Sequence, residues 1–292
     1  MGKILDLLKK QKHLVSDGAW GTFLQAKGLQ AGTCPELWNI DRPETVRDIA
    51  RSYLEAGADM VETNSFGGNS CKLAHYGLAD RVYEINRAAA ALSRQAAGPD
   101  KIVLGSVGPT GKFLMMGELS PEEMFQVFYE QCQALKEGGA DAVVVETMTD
   151  LEEAVIAVRA AVKTGLEALC TMTFDPLAGG GYRTMMGISP SDMIQPLLEA
   201  GAAVIGSNCG NGSRGMIDIV REIRSVNTEV PVLIQANAGL PVYKDGKTIF
   251  PESPEEMAAS VPGLLEAGAN IIGGCCGSTP AHIRAIAARV RE

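Results

Sequence analysis

Three cysteines set among glycines carry the most distinctive chemistry of the chain: Cys209 in GSNCGNG, and the adjacent Cys275 and Cys276 in GGCCGSTP. Successive side chains of a strand point to opposite faces, so two neighbouring thiols at a strand end need a reason. Three are open. Both thiols could pack against apolar groups, which an alternating strand end does not readily arrange. They could close a strained vicinal disulfide, which a reducing compartment disfavours. Or Gly273, Gly274 and Gly277 could free the backbone from its pleat and let both thiolates face one metal ion. A structural zinc takes four protein ligands, whereas a catalytic one takes three and keeps a position open. Cys209 is the natural third ligand. The other cysteines suit packing: Cys132 in a helical stretch, Cys170 in a strand, Cys34 in a loop before Pro35, and Cys71 at a helix start. No histidine completes the set, although His282 in the last helix could support a ligand from behind.

The elements that would position these thiols announce themselves by repetition. One phrase occurs four times, as EAGADMVET (55–63), EGGADAVVVET (137–147), EAGAAVIGSN (199–208) and EAGANIIGG (266–274). A helix that ends on Gly feeds a short apolar run of the kind buried on both faces. Weaker strands lie between, at 13–17, 102–107, 168–173 and 232–236, which makes eight. Helix starts recur as Ser120-Pro121, Ser189-Pro190, Ser253-Pro254 and Thr279-Pro280, with Glu123 and Glu256 placed to complete capping boxes. The expected fold is therefore α/β, a single (β/α)8 TIM barrel over residues 1–292. A doubly wound sheet would want a glycine-rich phosphate loop after strand one, and Asp17-Gly18-Ala19-Trp20-Gly21-Thr22 fits that pattern poorly.

In such barrels function sits where strands end. The residues that follow the apolar runs are Asp17-Gly18, Glu62-Thr63-Asn64, Ser106, Glu146-Thr147, Asp175, Asn208-Cys209, Asn237 and Cys275-Cys276, which puts carboxylates and thiols on one rim. Strands six and eight flank strand seven, so Cys209 and the cysteine pair can reach a common point above it.

Composition narrows the partner. With 292 residues, 46% of them hydrophobic, a full core can be buried, and the net charge of -9 without a basic cluster argues against nucleic acid or an anionic membrane. The N-terminus lacks the apolar run of a signal peptide and no stretch reaches the length of a membrane span, so a soluble, cytoplasmic protein is expected. Seven cysteines is an odd number and argues against a disulfide framework.

The chain resembles the homocysteine S-methyltransferases, a family that includes the homocysteine-binding module of cobalamin-dependent methionine synthase and betaine- and S-methylmethionine-using relatives. The likeness runs through DGAWGT (17–22), ETNSFGGN (62–69), GPTG (108–111), Glu146-Thr147, SNCG (207–210), NAGLP (237–241) and GGCCGSTPAHI (273–283). It implies that Cys209, Cys275 and Cys276 bind one Zn²⁺ and that the substrate thiol takes the fourth position. Direct ligation favours thiolate at neutral pH, where a free thiol with pKa near 8.5 is mostly protonated. The resemblance assigns the ammonium of homocysteine to Asp17 and Glu146, with Glu62 on the same rim. It gives the backbone around Gly18 and Thr147 the amino-acid end, and Asn237 the open metal position before substrate arrives. The chain departs from the family pattern at Trp20 and at Gly212-Ser213-Arg214. The wording of NAGLP and ETNSFGG suggests methylcobalamin carried by a separate corrinoid protein as donor. The alternatives are S-methylmethionine or betaine as donor, another thiol as acceptor, the reverse demethylation, or a zinc-binding barrel without catalysis. A zinc lyase or aldolase fits less well, since three thiolates make a poor Lewis acid.

Overall fold

The computed structural model describes residues 2–244 and 246–292. Eight parallel strands run around one sheet: β1 (Leu14–Val15), β2 (Met60–Glu62), β3 (Ile102–Val107), β4 (Ala142–Met148), β5 (Glu167–Met172), β6 (Val204–Gly212), β7 (Val232–Asn237) and β8 (Ile271–Gly274). Their order is β1-β8-β7-β6-β5-β4-β3-β2. The two ends of this order meet through Asp59, whose N–H donates to Val15 O at 2.8 Å and whose carboxylate accepts from Val15 N–H at 2.9 Å. The result is the (β/α)8 barrel that the repeated phrases predict. Gly57, Gly139, Gly201 and Gly268, the glycines of those phrases, all take left-handed backbone with φ of 101–108° at the helix ends.

Ser120 and Ser253 close their capping boxes with Glu123 and Glu256, and Thr279 closes one with His282. Ser189-Pro190 does not start a helix, which begins only at Ile194. Ser189 N–H and Oγ engage Asp192 in a local turn, and Glu222 accepts from Ser191 Oγ at 2.8 Å, so these hydroxyls are spent outside any helix. Two antiparallel hairpins unseen in the sequence rise from strand ends: Asp175–Pro176 with Tyr182–Arg183, and Val242–Lys244 with Lys247–Ile249. Among the described residues no helix is long and apolar enough to cross a membrane.

The strand pleat sorts the bore into layers. Leu14, Met60, Leu104, Val144, Leu169, Val204, Leu233 and Ile271 pack with one another inside, floored by Ile4, Leu7 and Leu8 of the helix Lys3–Lys10. Their neighbours Val103, Val143, Val145, Cys170 and Ile272 face the helices. Two residues onward from the inner layer come Ser16, Glu62, Ser106, Glu146, Thr171 and Gln235. The same alternation that builds the dry core therefore lays a polar floor above it.

Candidate functional site

Glu62 and Glu146 of that floor, and Asp17 one residue beyond Ser16, are all buried. Asp17 accepts from Trp20 Nε1–H at 3.0 Å and from Glu62 N–H at 2.9 Å, which gives the unusual Trp20 a partner. Glu62 accepts from Gln235 Nε2–H at 2.7 Å. Glu146 accepts from the Ser106 hydroxyl and, at 3.3 Å, from Asn208 Nδ2–H. Among the described residues no Lys or Arg forms an ion pair with any of the three. Burial accordingly raises Asp17 to about 6 and Glu146 to about 7, and it raises Glu62 well above the carboxylate range with help from its two acidic neighbours. The floor lacks a cation.

The thiols gather beside it. Cys275 and Cys276 lie just past β8, in a turn sewn to its surroundings: Gly274 N–H to Asp17 O (2.9 Å), Cys275 N–H to Ala236 O (2.6 Å) and Ala238 N–H to Cys276 O (3.0 Å). Ser278 Oγ donates to Cys275 O and accepts from Ala19 N–H. Of the three glycines only Gly277 takes left-handed backbone, at φ 81°. Gly273 and Gly274 stay in the strand for a different reason: a Cβ would lie 2.8 Å from Asp17 O at the first and 2.3 Å from Ser278 Oγ at the second. The close approach of the segment after β1 requires the first, and the return of Ser278 onto the strand requires the second. On β6 the register with β7 slips between Asn208 and Gly212, and Cys209 sits in this bulge with φ 59°.

Cys209, Cys275 and Cys276 converge with their sulfurs within 4.8 Å of one another, and Cys209 Sγ is 3.8 Å from Cys276 Sγ. Tetrahedral zinc with bonds of about 2.3 Å sets its sulfurs about 3.8 Å apart, so the donor set fits in type and spacing. Beside it Asn237 Oδ1 is buried without a partner. Close contact with the Cys275 and Cys276 sulfurs lowers the Cys209 thiol below its usual range. In return Cys275 is pushed well up and Cys276 to about 12.

Thr147 N–H, expected to face the amino-acid end of a substrate, donates instead to Asn208 Oδ1 at 2.8 Å. His282 is occupied as a cap, Nδ1 accepting from Thr279 N–H and Nε2 facing Glu252 O at 3.0 Å. Cys34, Cys132 and Cys170 are buried in the core, as packing residues should be. Ser106, Thr171, Asn208 and Gln235 carry site hydrogen bonds that sequence reading left unassigned. Ser106 and Asn208 were already named at strand ends, and counting every second residue from the apolar strand positions would have added Thr171 and Gln235.

Comparison with known proteins places the chain by family and fold. Residues 14–290 match the family described as homocysteine S-methyltransferase. The methionine synthase of Mycobacterium tuberculosis is 36% identical over 308 residues, which takes in 98% of this chain and 25% of that protein. That of Mycobacterium leprae is 34% identical over 305 residues, with the same shares. The chain thus spans about a quarter of the length of these relatives. The crystal structure of the homocysteine methyltransferase MmuM from Escherichia coli in its metallated form superposes with a TM-score of 0.80, at 25% identity, over 97% of this chain and 98% of that one.

Proposed function

The chain belongs to the homocysteine S-methyltransferase family, and from that premise we propose that it is a zinc-dependent methyltransferase that converts homocysteine to methionine with a methyl group from a separate methylated corrinoid protein. The observation that carries the reading is the convergence of Cys209, Cys275 and Cys276 one carboxamide away from buried carboxylates that form no ion pair among the described residues. A substrate with a thiol at one end and an ammonium at the other has both ends met.

Cys209, Cys275 and Cys276 would hold the zinc, which when bound keeps the acceptor sulfur as a nucleophilic thiolate at neutral pH. Asp17, Glu62 and Glu146 bind the ammonium, whose charge lowers their raised pKa values toward the ionised state. Gly18 and Thr147 shape the backbone at that end, and Asn237 Oδ1, buried and unpartnered, is the group placed to serve the metal when no acceptor is bound. In the transfer the sulfur electron pair forms the new S–C bond, the donor keeps the pair of the bond that breaks, and the thiol proton is released. Exposed Met115, Met116, Leu177, Met185 and Tyr243 stand on the loops and hairpins that follow β3, β5 and β7. Apolar groups on the functional face favour a donor presented by a macromolecule over a small polar one.

Zinc analysis of the purified protein is expected to give about one ion per chain, lost in Cys209→Ala, Cys275→Ala and Cys276→Ala while the fold persists. Zinc retained in all three would misplace the site. Assayed with homocysteine, the zinc-loaded protein should use methylcobalamin on a corrinoid protein. Turnover with S-methylmethionine, betaine or methylfolate instead would overturn the donor assignment.

A further inference from the structure

Among the described residues the non-glycine positions with left-handed backbone are Thr147, at φ 60°, and Cys209, at φ 59°. A β-branched residue in that region is an outlier that its surroundings must hold in place. Both sit in bulges. On β4, Val145 and Met148 pair with Cys170 and Met172, three steps against two. On β6, Asn208 and Gly212 pair with Gln235 and Asn237, four steps against two. The first bulge follows Glu146 of the carboxylate floor, and the second holds Cys209 beside the other thiols.

One side chain joins the two. Asn208, fully buried, accepts at Oδ1 from Thr147 N–H and from the Thr171 hydroxyl, both at 2.8 Å. Its Nδ2–H₂ donates to Thr147 Oγ1 at 2.8 Å and to Glu146 Oε2 at 3.3 Å, and lies 3.9 Å from Cys275 Sγ. The orientation of the amide is forced, since a backbone N–H must meet its oxygen and a carboxylate its nitrogen. Asn208 is also the chain neighbour of Cys209. It therefore bonds the strained bulge of β4, touches the carboxylate at one end of the site and lies beside the Cys275 sulfur at the other.

We propose that Asn208 is the positioning residue that fixes the distance between the ammonium-binding Glu146 and the sulfur-binding cysteines. The enzyme thereby selects acceptors by the number of carbons between amino and thiol groups, preferring homocysteine to cysteine, which is one methylene shorter. The inference rests on the function proposed above. Packing alone discriminates one methylene by on the order of 10–200-fold, and only if the two anchoring ends cannot slide. A carboxamide with its hydrogen bonds satisfied, inside the barrel wall, prevents that sliding.

The test uses the zinc-loaded protein and two readouts, kcat and KM with each thiol acceptor, and calorimetric binding of homocysteine and cysteine without donor. Asn208→Ala should keep about one zinc per chain, raise the homocysteine KM more than it lowers kcat, and cut the preference for homocysteine over cysteine by about tenfold. Adding Thr147→Gly, which tolerates left-handed backbone without a clamp, should recover part of the KM loss. If Asn208→Ala does not fold, Thr171→Val, which removes one hydroxyl donor to Asn208 at constant shape, should move the preference in the same direction by a smaller factor. Variants that fold, keep zinc and retain the wild-type preference overturn the inference while leaving the proposed function standing. A wild-type protein that neither binds nor methylates homocysteine overturns the function itself.

Discussion

Two layers of the barrel bore, two residues apart on the same strands, do opposite work. Leu104, Val144, Leu169 and Leu233 form the lower layer, dry and closely packed, and the hydrophobic effect acts there without opposition. Ser106, Glu146, Thr171 and Gln235 form the upper one, where buried carboxylates without cations raise the free energy of the substrate-free fold. The pleat that makes the first layer necessarily makes the second. Stability and binding are thus separated along the barrel axis rather than between domains, and each layer should respond to a different measurement.

The largest separation is expected from Leu104→Ala. Deleting this fully buried side chain should cost about 2–5 kcal/mol of unfolding free energy in a denaturant titration while leaving the homocysteine KM of the folded protein unchanged. A KM that moved with stability would mean the layers are coupled. Next comes Glu146→Gln, which removes a charge-assisted contact of about 1.5–3 kcal/mol to the substrate ammonium. The expected KM increase is about 10–150-fold at pH 8, with zinc content unchanged. A KM within about twofold of wild type would place the ammonium elsewhere.

The smallest effect is pH dependence. Burial raises Glu146 to about 7 and Asp17 to about 6, so both are ionised above pH 7, and first Glu146 and then Asp17 takes up a proton as pH falls. Each uptake removes a negative charge facing the ammonium. The homocysteine KM should therefore rise below pH 7, by up to about tenfold per pH unit for each carboxylate titrating. The step near pH 7 should be missing in Glu146→Gln. Zinc measured in the same samples separates this from metal loss, and an unchanged pH profile in the variant would assign the titration to another group.

Much of the barrel was legible in the sequence because its determinants are local. A glycine that ends a helix, a serine three residues before a glutamate and an apolar run of strand length act within a few residues of chain, and the four repeated phrases all fall where they predict. Ser189-Pro190 shows the limit. Its Ser-Pro signal matches that of Ser253-Pro254 but has Asp192 where a capping-box Glu would stand, and Glu222, 31 residues away from Ser191, takes the hydroxyl beside it. Gly273 and Gly274 teach the same lesson from the other side. They look like freedom for the backbone, yet the approach of Asp17 and Ser278 requires them. The two bulges left no local signal, since neither Thr147 nor Cys209 is a residue that prefers positive φ.

By itself the sequence determined the strand count, the face on which function lies, and the residue types offered there: three thiols and four carboxylates at strand ends, of which Asp175 lies exposed in a hairpin away from the other three. Those follow from periodicity and from the chemistry of each side chain, which the chain carries wherever it goes. Tertiary structure alone decided that the three thiols converge, that burial raises the carboxylates, and that Asn208 ties the two ends of the site together. A hydrogen-bond partner, a depth of burial and a bulge held against its own backbone preference depend on neighbours brought in from other strands, and sequence separation does not encode that proximity.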